Sequence, residues 1–305
     1  MNSRIIQNNP FAKAKTRSIV YWFILAIPLL FVLYLIIGLS LNLPAAITER
    51  QGINFEDPIF TTSLFNCLFY IVILSWLLFY RAKTKFNFKH LLGRVRSVRE
   101  HSKLLLMVIP LMLFAFSSGH IIYYLLFLVS PEIATSLMEQ GLLLTSESTD
   151  YPLLYNTIEI IAIVILAPIV EEILFRGIFL HRWGTKWSVR TAVITSSIVF
   201  GCLHFDIICA SIFGCIMCLV YLKTKSLAVP IAIHFLNNLI VVAISFWFLL
   251  QAEPELTLTI ETLQSSLGQA AIGIIIASIW LIIFCRNNWR FIHKPQPYFA
   301  NQDSL

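Results

Sequence analysis

Six side chains in the second half of this sequence have the types and spacing to do chemistry together. The stretch IVEEILFRGIF, Ile169–Phe179, sets Glu171, Glu172 and Arg176 inside a long apolar run. His204 ends FGCLH, and HFLNN carries His234 and Asn238 one helical turn apart on one face. Ionisable groups in an apolar span cost about 2.5–3.5 kcal/mol each on insertion scales, so they mark function by default. Arg176 follows Glu172 by four residues, the spacing at which a helix lets the two neutralise each other. Glu171 is rotated about 100° from that pair and is left for other work. A buried glutamate suits a general base, and a histidine beside it can help to hold a water. A second histidine and an amide can donate hydrogen bonds to a developing oxyanion. That set performs attack of water on a carbonyl. No Ser or Cys stands out as a nucleophile, and the zinc-protease signature H-E-x-x-H is absent.

The elements that must position these residues are membrane helices. Of 305 residues 58% are hydrophobic and 12% charged, with a mean hydropathy of +0.81. A soluble domain carries about 25% charged residues, so this chain reads as an all-α polytopic membrane protein. About eight apolar runs are visible: Ile19–Leu41, Phe60–Tyr80, Leu104–Val129, Leu153–Leu180, Thr191–Phe205, Ile207–Leu222, Leu227–Leu250 and Leu267–Cys285. The fifth and sixth are short and predict a tight helical pair turning at Asp206. The first run is too long for a signal-peptide core of about 7–15 residues and reads as a retained span.

Net charge is +6, but the basic residues sit in short loops, which argues for membrane orientation and against a nucleic-acid partner. Eight of them run from Arg81 to Lys103, and further ones precede the first span, follow the fourth, precede the seventh and follow the eighth, with only Arg50 in an expected outer loop. The alternate loops hold Glu132, Glu139, Glu147 and Asp150, then Glu253, Glu255 and Glu261. Both termini are therefore expected in the cytoplasm. Depth follows from a 1.5 Å rise per residue: about 15 Å for Glu171, 21 Å for His204 and 14 Å for His234. Three residues from three helices meet near mid-membrane, which predicts an active site buried in the bundle.

The motifs EEILFRG, FGCLH and HFLNN resemble the E-E-x-x-x-R, F-x-x-x-H and H-x-x-x-N motifs of the CAAX protease and bacteriocin-processing family, also called CPBP or Abi. The resemblance covers roughly residues 153–250. It implies an intramembrane endopeptidase, in one branch of which the last three residues of prenylated CAAX proteins are removed. Carried over, Glu171 and His204 activate water, and His234 and Asn238 form the oxyanion hole. Glu172, Arg176 and Phe200 support them. No metal is expected to be required, since base and oxyanion donors already complete a mechanism. Zinc on Glu171, His204 and His234 is the alternative. Peptides or membrane proteins are the expected substrates, the lipid bilayer the surroundings and a bacterial plasma membrane the location.

This divides the chain into a motif-free region of three spans (1–152), a catalytic core (153–250) and a last span with a cytoplasmic tail (251–305). The plainer readings stand beside it. CIMC, Cys215–Cys218, has the spacing of a metal or redox pair but on a buried helix reads as packing. His120 reads as a helix–helix hydrogen bond. A proton relay or transporter would also place Glu and His at mid-membrane and would predict repeats or broken helices. A non-proteolytic immunity protein of the same family is a further reading.

Overall fold

The computed structural model describes residues 9–12, 15–19, 21–22, 24, 58–95, 98–139, 142–143, 152–250 and 259–302. Most of the first expected span and the acidic residues Glu147, Asp150, Glu253 and Glu255 lie outside them. All regular structure among the described residues is helical. In chain order the helices are α1 (Pro58–Thr84), α2 (Phe88–Leu92), α3 (Val98–Leu105), α4 (Val108–Val129), α5 (Pro131–Glu139) and α6 over residues 152–186. Then follow α7 (Val189–Gly201), α8 (Ile207–Thr224), α9 (Ala228–Leu250), α10 (Ile260–Asn288) and α11 (Pro297–Gln302).

Five stretches among the described residues are long and apolar enough to cross a membrane: Cys67–Thr84, His101–Val129, Ile207–Thr224, Ala228–Leu250 and Ile260–His293. Their apolar residues face both ways. On α10, Ala277 and Leu281 are buried while Ile272, Ile276, Ile279 and Ile283 stay about half exposed. A helix that is apolar all round has lipid on its outer side. The chain is an all-α polytopic membrane protein.

Two local features position the site. The fourth apolar run forms α6 as one continuous helical path of mixed pitch. α-Helical turns at Pro152–Ile160, Ala167–Glu172 and Leu180–Lys186 alternate with π-helical stretches at Ile161–Leu166 and Ile173–Phe179. Wider π turns shift side-chain register and expose backbone carbonyls, and they recur at functional sites. The second feature is the short α7–α8 pair. Its 13-residue first arm rises about 20 Å, then turns through 202–206. Asp206 Oδ1 caps α8 by accepting from Cys209 N at 2.8 Å, and its other oxygen accepts from Ser118 on α4. Residues 202–205 of this turn are exposed, and His204, Phe205 and Asp206 line a cavity. The arms pack closely: a Cβ on Gly214 would stand 3.0 Å from Ser197 Cα. His120 joins α4 to α10 through Leu263 O and Ser266 Oγ. Cys215 and Cys218 are free thiols within α8.

At the other end of α6, His181 holds the chain ends together. One ring nitrogen, Nδ1, faces Gly177 O at 2.8 Å, so it carries the proton and donates. Nε2 accepts from Tyr298 N at 3.1 Å. Phe11 stacks on the ring, Gln296 donates to Leu180 O, and Asn301 donates to His90 O and Lys225 O.

Candidate active site

The site is built around one imidazole. His234 on α9 is buried, and each ring nitrogen faces one of two adjacent glutamates on α6. Nδ1 lies 3.0 Å from Glu172 Oε1 and Nε2 3.9 Å from Glu171 Oε2. The glutamates differ in their other partners. Glu172 is 0% exposed and accepts from Arg176 Nη1 at 2.8 Å. Arg176, 1% exposed, also donates to Gly214 O at 3.2 Å. The bare backbone of Gly214 makes that approach possible. The guanidinium lies over the Phe200 ring, 4.7 Å from its centroid, a favourable cation–π contact.

Among the described residues, Glu171 has no basic side chain near it beyond His234. Its Oε1 accepts from the Tyr70 hydroxyl at 3.1 Å. Its Oε2 is buried, and among the described residues no hydrogen-bond partner reaches it. The carboxylate is 14% exposed.

His204 lies in the turn after α7, not on the helix itself. Its Nδ1 donates to Phe200 O at 2.8 Å, which leaves Nε2 an acceptor. Its ring leans on Phe200 at 4.5 Å between centroids. Asn238, one turn after His234, donates to Ile163 O at 2.9 Å and accepts from Asn237 Nδ2 at 3.3 Å. Ile163 sits in the first π stretch of α6, where a widened turn presents its carbonyl. One amide hydrogen of Asn238 remains for another acceptor.

His204, His234 and Asn238 line one cavity of about 360 Å3 together with Phe200, Asp206 and Phe213. Glu171 is not in its wall and approaches it through His234. Among the described residues no three His, Cys, Asp or Glu side chains lie close enough to hold a metal ion.

Sequence spacing placed Glu172 with Arg176 but not with His234, and it missed Tyr70. A signal for Tyr70 was present: a phenol in a span is usually hydrogen-bonded. Counting back from Arg81 also puts Tyr70 about 16 Å deep, level with Glu171.

Residues 153–240 match the family described as Type II CAAX prenyl endopeptidase Rce1-like. Over 93 residues the chain is 33% identical to a Bacillus subtilis (strain 168) protein described as "Putative membrane peptidase YdiL". That stretch is 30% of this chain and 36% of the relative, so the chain spans about a third of the relative's length. No solved structure matches. The matched segment carries all three motifs and the glutamate–histidine cluster, so over these residues the chain is similar to that family of CAAX-type membrane peptidases.

Proposed function

We propose that the protein is an intramembrane endopeptidase that hydrolyses a peptide bond with a water activated by Glu171 and His204, His234 and Asn238 stabilising the oxyanion. The observation that carries this is His234 held between two glutamates at the wall of a cavity it shares with His204 and Asn238. Glu172 is committed to Arg176, so Glu171, with an unpartnered oxygen, is the carboxylate left to take a proton. His204, its Nδ1 proton held by a backbone carbonyl, offers Nε2 to a hydrogen of the same water. For His234 to donate from Nε2 while Nδ1 donates to Glu172, the ring must carry both protons. Arg176 and that imidazolium then balance the two carboxylates, which suits an interior where net charge is costly. The spare amide hydrogen of Asn238 is the second donor to the oxyanion.

The substrate class is a peptide or membrane protein presented inside the bilayer, as the family match suggests. Cytoplasmic termini and a bacterial plasma membrane complete the reading, supported by the basic loops. The test is peptidomics of membranes holding either the unaltered protein or Glu171→Gln, with in vitro cleavage of the peptides that respond. Peptides that appear only with the unaltered protein support the reading. Full turnover by folded Glu171→Gln overturns it.

A further inference from the structure

A second cavity, about 1010 Å3, opens at the end of the bundle where α1 stops. Its cations come from two segments far apart in sequence, the stretch before the first span and the exit from α1, while Asn87, His90, Tyr298 and Gln302 complete the wall. Lys15 and Arg17 come from the first, Lys83 and Lys85 from the second. Among the described residues, no Asp or Glu lines it. Tyr21 and Phe79 form its apolar side, 59% and 48% exposed, and Trp22 stacks on Phe79 at 5.3 Å. Exposed aromatic rings at a span's end mark the level of lipid headgroups.

Basic residues at the end of a membrane helix have an ordinary explanation, in topology and in the partial negative charge of a helix C-terminus. Arg81 fits it, with its guanidinium over Phe88 outside the cavity. The four lining cations go further, because they converge on one concavity from two segments with no carboxylate between them among the described residues. Such like charges repel unless an anion sits among them. Basic pockets at the membrane edge of a helical bundle suit phosphate headgroups.

We propose that this cavity binds the phosphate of an anionic glycerophospholipid, whose acyl chains lie along Phe79 and Tyr21. The phosphate meets Lys15, Arg17, Lys83 and Lys85, and the site is separate from the His234 cluster.

The experiment is native mass spectrometry of the full chain released from micelles titrated with phosphatidylglycerol or phosphatidylcholine. Three proteins are compared: unaltered, Lys83→Gln/Lys85→Gln, and Lys89→Gln/Lys103→Gln. The last loses equal charge outside the cavity. A juxtamembrane cation contributes roughly fivefold to affinity, so the first pair should weaken phosphatidylglycerol binding about 25-fold and the control pair less than about twofold. All four lysines are exposed, so folding should survive. Equal binding of the two lipids, or equal losses in the two variants, overturns the proposal. Soluble glycerol 3-phosphate binding as tightly as the lipid would assign the cavity to free phosphates and overturn the lipid.

Discussion

Glu172→Gln removes one charge from the most deeply buried ion pair described. Glu172 is 0% exposed and Arg176 1%, so Arg176 has no route to water and must keep its charge. Breaking a buried pair by removing one partner costs about 3–5 kcal/mol. Arg176 keeps Gly214 O and the Phe200 face, which points to the lower end, about 3 kcal/mol. The new amide adds a donor beside Glu172 Oε2, which is buried and has no partner among the described residues. Arg176→Met should cost less, because Glu172 keeps His234 at 3.0 Å. The double variant should be more stable than Glu172→Gln alone, since the stranded charge is then gone. Unfolding in mixed micelles with increasing SDS, followed by circular dichroism, measures all three. A well-folded Glu172→Gln that loses less than about 1 kcal/mol would refute this reasoning, as would a double variant whose losses simply add.

Four other outcomes can be checked. Asn238→Ala should lower kcat about 10²–10³-fold with KM nearly unchanged, and should cost about 1–2 kcal/mol of stability by freeing Ile163 O; steady-state kinetics and the same unfolding assay read the two effects. Tyr70→Phe removes the hydroxyl donor to Glu171 and should reduce kcat/KM about tenfold or more at unchanged protein yield; unchanged kinetics would remove Tyr70 from the site. His181, just beyond the fourth apolar run, is held down to about 4 by burial against carbonyl bonds that pull it up, so its share of stability is full above about pH 6.5 and falls by about 3 kcal/mol as pH drops towards 4; His181→Asn should flatten that slope in unfolding measured across this range. Exhaustive chelation should leave peptide cleavage intact, and loss of activity restored by stoichiometric zinc would make a metal part of the reaction.

What could be read from the sequence depended on the distance over which each feature acts. Apolar runs are long, so the helices of α1, α4 and α8 to α10 fall where hydropathy places them. The Asp206 turn was legible because a lone acid between two short apolar runs is a capping residue. The register of α6 was not legible. Its π stretches arise where neighbouring helices satisfy loosened backbone groups, as Asn238 does for Ile163 O, and a 100° wheel has no term for that. Tyr70 escaped because its span carries no motif, and a contact between α1 and α6 leaves no periodic mark on either.

The paired glutamates show what the missing register conceals. Two residues 100° apart on a wheel seem assigned to different neighbours, and that argument separates Glu171 from Glu172. In the folded chain they diverge from adjacent Cα atoms and converge again on opposite nitrogens of one ring. Only neighbours in sequence straddle an imidazole in this way; residues four apart lie one above the other along the helix and reach it from one side. The four-residue spacing is used instead for Arg176, which stacks below Glu172 and occupies its carboxylate. One turn of helix thus makes two chemically alike side chains unlike: Glu172 is fixed between two cationic or protonated partners, while Glu171 faces His234 and, among the described residues, only a tyrosine hydroxyl holds it. Exchanging their surroundings, by moving the arginine to position 175, should therefore damage the reaction more than either glutamine substitution damages the fold.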